Sequence, residues 1–185
     1  IGEGADDEKR LNSSPIVAGG MVFAMDVRSQ VGAFDVKNGA RVWKVELAPE
    51  EDDEGHISGG LAYDNNVVYV TTGFAEAAAL EARTGKVIWR KNLGAPMRSA
   101  PTARGGRLFV TTMNNQLFAL NAENGETLWQ HRGLPEIASV LGGASPAVDK
   151  GVVIVCYTSG ELIALKVENG RVLWQCSWIA GRRTD

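Results

Sequence analysis

Few residues in this chain have the type and spacing to do chemistry, and most spacings argue against it. Two histidines, His56 and His131, stand far apart with no partner at ligand spacing. The two cysteines, Cys156 and Cys176, form no CxxC pair. A zinc site needs several such donors converging, so no metal site is expected. No G-x-S-x-G elbow, H-E-x-x-H helix or phosphate-binding glycine loop occurs. No catalytic and no cofactor-binding residue is therefore assigned. The segments "GGASP" at 142–146 and "SGE" at 159–161 read as small-residue turns, and Asp64, Glu123 and Glu168 as turn carboxylates. His131, two residues after Trp129, is expected to face solvent. What remains is tryptophan, with 5 in the chain.

Bulk properties narrow the classes further. The net charge is -3 and no basic stripe appears, which argues against a nucleic-acid partner. The longest charge run, Glu50 to Glu54, is acidic and reads as a solvated loop. No apolar stretch is long enough for a transmembrane helix. The 22 glycines point to frequent tight turns.

The tryptophans lead to the elements that must position them. Four segments align without gaps: "SPIVAGGMVFAMDVRSQVGAFDVKNGARVW", "GLAYDNNVVYVTTGFAEAAALEARTGKVIW", "APTARGGRLFVTTMNNQLFALNAENGETLW" and "SPAVDKGVVIVCYTSGELIALKVENGRVLW". They end on Trp43, Trp89, Trp129 and Trp174, and each tryptophan follows a glycine by four residues: Gly39, Gly85, Gly125 and Gly170. Trp178 alone is out of phase and reads as a packing residue.

Each unit predicts four strands. The second strands fall at 21–25, 67–72, 107–112 and 151–157; third strands include "LFAL" at 117–120 and "LIAL" at 162–165. The fourth strand ends in the tryptophan. A weaker first strand sits around 15–18, 60–63, 100–103 and 145–148. Turns are expected at Gly19-Gly20, Asn65-Asn66, Gly105-Gly106 and Asp149-Lys150. Others are expected at Asn38-Gly39, Thr84-Gly85, Asn124-Gly125 and Asn169-Gly170, where both central residues would need positive φ.

Four-stranded antiparallel units of this length describe blades of an all-β propeller. Residues 1–13 read as an N-terminal extension or the remnant of another blade. Residues 14–178 hold four blades with cores at 14–43, 60–89, 100–129 and 145–174, and 179–185 lead toward a following blade. The Gly-x-x-x-Trp spacing suggests that glycine makes a turn, and that the indole covers either that turn or the neighbouring blade.

The segments "AFDVKNGARVW", "ALEARTGKVIW", "ALNAENGETLW" and "ALKVENGRVLW" resemble the quinoprotein-type repeat Ala-x-Asp-x-x-Thr-Gly-Lys-x-x-Trp. Only Asp35 keeps the aspartate; Glu81, Asn121 and Lys166 replace it. The segments "RLNSSPIVAGGMVFAMD", "NNQLFALNAENGETLWQH" and "VLGGASPAVDKGVVIVCYTSGELIAL" carry a closer resemblance to the N-terminal half of the BamB-type lipoproteins. That resemblance implies part of an eight-bladed ring in the machinery that inserts β-barrels into the bacterial outer membrane. It implies a non-enzymatic scaffold, without cofactor, on the periplasmic face of that membrane and lipid-anchored in its full-length form. It also implies a barrel-inserting subunit as partner, bound through Ser139, Val140, Leu141, Gly142 and Gly143. An arginine prominent in some members aligns with Leu141, so a charge-based contact there does not carry over.

Two alternatives stand beside this reading. Quinone-dependent dehydrogenases share the repeat, but they use adjacent cysteines, and this chain has none. A generic propeller binding peptide or sugar is the other. Four blades could belong to a longer chain, close on themselves, or self-associate as half-rings. Cys156 and Cys176 fall on the second and fourth strands of one blade, about 10 Å apart by strand spacing, so free thiols are expected.

Overall fold

The computed structural model describes residues 13–49, 59–135 and 144–177. It contains four four-stranded antiparallel sheets, each ordered as its strands occur in the chain. The first holds β1 (Ile16–Ala18), β2 (Met21–Met25), β3 (Gln30–Asp35) and β4 (Arg41–Glu46). The second holds β5 (Gly60–Asp64), β6 (Val67–Thr71), β7 (Glu76–Glu81) and β8 (Val87–Asn92). The third holds β9 (Thr102–Arg104), β10 (Arg107–Thr112), β11 (Gln116–Asn121) and β12 (Thr127–Arg132). The fourth holds β13 (Ala147–Asp149), β14 (Val152–Cys156), β15 (Glu161–Lys166) and β16 (Val172–Ser177). No helix occurs among the described residues. The sheets are propeller blades, packed face to face in chain order.

Blade packing explains why the middle strands read as unbroken apolar runs. A strand alternates its side chains between two faces, and here each inner blade buries both. In β6, Val68 and Val70 pack into the first blade's core while Tyr69 packs toward the third. In β7, Ala78 and Leu80 join the first interface and Ala77 and Ala79 the second. The third interface sets Phe109, Leu117 and Ala119 against Val153, Val155, Ile163 and Leu165. Alanines at the centre of the third strands let adjacent sheets approach closely.

Three kinds of hairpin turn close each blade. The first is a two-residue turn with positive φ at both positions: Gly19-Gly20, Asn65-Asn66, Gly105-Gly106 and Lys150-Gly151. The last corrects the expected Asp149-Lys150, because Asp149 still pairs with Val152 in the ladder. The second is a three-residue turn whose final residue is left-handed: Ser29, Ala75, Asn115 and Gly160. The third turn differs from expectation. Only Gly39, Gly85, Gly125 and Gly170 have positive φ there; the preceding Asn or Thr does not. The Gly39 amide instead donates to the Asp35 carbonyl at 2.9 Å, a longer loop that ends in a left-handed glycine. A ladder irregularity accompanies it in every blade, as between Ala33 and Phe34. Asn38 Oδ1 accepts from the Ala40 amide at 2.8 Å, so asparagine stabilises the turn through its side chain.

Cys156 and Cys176 both lie opposite Leu162, on the strands flanking β15. Both thiols are free and exposed.

Candidate functional site

The tryptophan–glycine joint is the recurring polar and apolar feature. Trp43 does not cover its own turn; it covers that of the next blade. A Cβ on Gly85 would stand 2.7 Å from the Trp43 ring, one on Gly125 2.8 Å from Trp89, and one on Gly170 2.6 Å from Trp129. Each indole also donates a hydrogen bond to a carbonyl three residues before that glycine. Trp43 Nε1 reaches Ala82 O at 2.8 Å, Trp89 Nε1 reaches Ala122 O at 3.0 Å and Trp129 Nε1 reaches Val167 O at 2.9 Å. Glycine is required twice over, by its positive φ and by the ring lying on its Cα. Trp43 and Trp89 are each 8% exposed, whereas Trp174 is 47% exposed. At the other end, nothing stands within 4 Å of a Cβ built on Gly39.

Ser139, Val140, Leu141, Gly142 and Gly143 lie outside the described residues, as does Trp178. The structure does show what holds the connector on both sides of them. Strand order places the connectors between blades on the same rim as the β2–β3-type turns. At the entry, the Gly133 amide donates to Asn115 O at 2.8 Å and Asn115 Nδ2 donates to Leu134 O at 3.0 Å. Asn115 Oδ1 accepts from the amide and hydroxyl of Thr158, at 3.2 and 2.9 Å. One buried asparagine thus ties the third blade, the connector and the fourth blade together. The Leu134 amide donates to Glu161 Oε2 at 2.7 Å, and the Ser159 hydroxyl donates to the same oxygen at 2.8 Å. At the exit, the Thr102 hydroxyl donates to Pro146 O at 2.5 Å. Leu134 itself is 60% exposed beside this base.

His131 belongs to the same base, which corrects the expectation that it faces solvent. It is half-buried. Its ring stacks on Tyr157, with centroids 5.9 Å apart and 7° between planes, and Nδ1 lies 2.9 Å from Tyr157 Oη. Gly133 makes room for that tyrosine: a Cβ there would fall 2.4 Å from the Tyr157 ring. Burial pushes the His131 pKa below its usual value, partly opposed by the Glu161 carboxylate. Burial, reinforced by Glu161, raises the Tyr157 hydroxyl well above its usual range. Sequence reasoning did not single out Asn115, Tyr157 or Glu161. The polar turn "NNQ" at 114–116 offered a cue, because asparagine tolerates the left-handed φ of 56° seen at Asn115.

No group of three or more metal-ligating side chains occurs among the described residues. No helix there is long and apolar enough to cross a membrane.

Fold and joints together define a β-propeller of quinoprotein-type blades. A family model described as "Outer membrane protein assembly factor BamB" matches residues 5–54 and 27–185. The chain belongs to this family. It is 36% identical over 144 residues to an uncharacterized protein of Rickettsia conorii, covering 77% of this chain and 34% of that one. It is 30% identical over 146 residues to outer membrane protein assembly factor BamB of Yersinia pestis, covering 76% of this chain and 37% of that one. The crystal structure of BamB from Moraxella catarrhalis superposes with a TM-score of 0.79 at 25% identity, over 90% of this chain and 49% of that one. The chain thus spans about a third of the length of the curated relatives it matches. A quinohemoprotein alcohol dehydrogenase of Pseudomonas putida shares the fold at 18% identity, which speaks for the fold alone.

Proposed function

We propose that this chain serves as a non-enzymatic binding scaffold in outer-membrane protein assembly, at the periplasmic face of that membrane. In its full-length form it would be held there by a lipid anchor. Its partner on this reading is the periplasmic domain of the barrel-inserting subunit, and the contact residues are Ser139, Val140, Leu141, Gly142 and Gly143. The observation that carries the proposal is the match of the BamB family model along almost the whole chain. The connector's architecture supports it. Loops on rigid scaffolds suit recognition because the base cannot wander, and here hydrogen bonds to the third blade fix both ends of the base, with Glu161 of the fourth blade adding a bond at the entry. The segment between those anchors carries three large aliphatic side chains, Ile137, Val140 and Leu141, the last two adjacent. An adjacent apolar pair in a connector whose two ends are fixed would give a partner an anchor to desolvate.

The test is Leu141→Asp. Binding to the barrel-inserting subunit is expected to fall about tenfold or more by calorimetric titration, with the thermal unfolding of the chain unchanged. Equal affinity of the variant and the parent would rule the connector out as the contact.

A further inference from the structure

We propose that the hub of the arc holds an oxyanion site centred on Arg98, independent of the rim connector. The four units enter their first strands through small residues, and these meet at the centre. A Cβ on Gly60 would lie 2.8 Å from the Ala100 Cβ, and one on Gly59 2.3 Å from Thr71 Oγ1. This crowding leaves a cavity of about 240 Å³ lined by Ser14, Gly59, Gly60, Arg98, Ser99 and Ser145, among others, from all four blades.

The polar atoms of its floor are already satisfied. The Gly60 amide donates to Thr71 Oγ1 at 3.1 Å, the Thr71 hydroxyl donates to Ser99 O at 2.8 Å, and Ser99 Oγ pairs with Thr111 Oγ1 at 2.7 Å. Arg98 differs. It has no hydrogen bond and no ion pair with any described residue, although it is partly buried. Among the described residues, no carboxylate lines the cavity with it. Ser14 of the first blade and Ser145 of the fourth also line this space. A guanidinium presents its donors in a planar fork that matches a carboxylate or phosphate, and its charge in a recess favours an anion over water. The cavity fits a terminal oxyanion group and a few further atoms, not a folded segment. Either a peptide's C-terminal carboxylate or a free phosphate supplies that chemistry.

The test uses the whole chain and backbone-amide NMR, with three probes. They are acetyl-trialanine with a free C-terminal carboxylate, the same peptide as its C-terminal amide, and inorganic phosphate. The carboxylate peptide or phosphate is expected to shift the Gly59 and Gly60 resonances, while the amidated peptide does not. A response to the carboxylate peptide but not phosphate identifies a chain terminus as the source; a response to phosphate alone identifies a small free anion. Arg98→Gln should weaken binding at least about tenfold, Arg98→Lys should retain part of it, and Arg104→Gln at an exposed pair with Asp149 should leave it unchanged. The inference is overturned if no probe shifts the hub amides or if the amidated peptide binds as well as the acid. It is equally overturned if Arg98→Gln and Arg98→Lys both bind as the parent does, which would mean an adventitious ion only.

Discussion

At the scale of the residue, one side chain type does two tasks in this protein. Each seated tryptophan fills an apolar gap between blades and satisfies a carbonyl that the gap would otherwise strand. Trp89 also tilts against Tyr69, with centroids 6.3 Å apart, so aromatic contact adds to the burial. Trp89→Ala should therefore cost about 3–5 kcal/mol in urea unfolding, the range for a large aromatic removed from a core. Trp174→Ala should cost only about 1 kcal/mol or less, because its ring has no seat. Equal losses in the two variants would contradict the joint as described. His131 makes a second residue-scale prediction. Its folded pKa is lowered, so below the ordinary value the unfolded chain binds a proton that the native chain refuses. Its contribution is therefore present above about pH 6.5 and is lost as pH falls through the depressed native value. Denaturant midpoints at pH 7 and pH 5.5 should differ more in the parent than in His131→Gln, which keeps a polar group beside Tyr157. The same slope in both would mean that His131 stays solvated.

At the scale of the element, the turns decide what could be read in advance. Three of the four two-residue turns announced themselves, since paired glycines and asparagines have few other uses between apolar runs; the fourth, Lys150-Gly151, lies one residue later than its sequence suggests. The turn before each tryptophan strand was misread as a two-residue hairpin, because Asn-Gly is the strongest such cue and nothing local reveals a longer loop. The ladder irregularity inside β3, β7, β11 and β15 is what lengthens it, and it depends on pairing with the neighbouring strand. For the same reason His131 was misplaced. Its exposure depends on Tyr157 in the next blade, 26 residues away, which no local pattern reports. The tryptophan phase was legible because one constraint repeats four times; the Asn115 anchor was not, because it occurs once. The glycines yield an element-scale prediction. Gly39→Ala and Gly125→Ala both put a Cβ on a left-handed backbone, at φ 70° and 75°, costing about 1–2 kcal/mol each. Only Gly125→Ala also drives that Cβ into a tryptophan ring. Gly125→Ala should be the more destabilising by at least about 1 kcal/mol in matched denaturation curves. If the two cost the same, the ring does not rest on the turn as tightly as the geometry states.

At the scale of the whole molecule, blades joined only to their neighbours form a chain of like interfaces, and like interfaces have complementary ends. One end presents Trp174 with Val172 and Leu173, all exposed, and an apolar recess of about 300 Å³ between Cys156, Tyr157 and Leu162. The other presents the open Gly39 turn, with Val36 three residues earlier and 47% exposed. Val36 holds the position of Ala82, Ala122 and Val167, whose carbonyls accept the three seated indoles. Among the described residues, this is the one tryptophan seat of its kind left unfilled. A head-to-tail contact is heterologous, and it closes only if the arc turns through the right angle. The superposition covers about half of the Moraxella catarrhalis chain, 49%, which leaves room for a second arc of similar size beside this one. The 185-residue polypeptide is therefore expected to associate in pairs as its concentration rises, with the Trp174 indole donating to the Val36 carbonyl of the other copy. Sedimentation velocity should show a rising weight-average mass for the parent. For Trp174→Ala the pairing should weaken at least about tenfold, in line with loss of a central interface tryptophan. A single compact monomer at every concentration would leave Trp174 as a solvent-exposed residue of the fourth blade and nothing more.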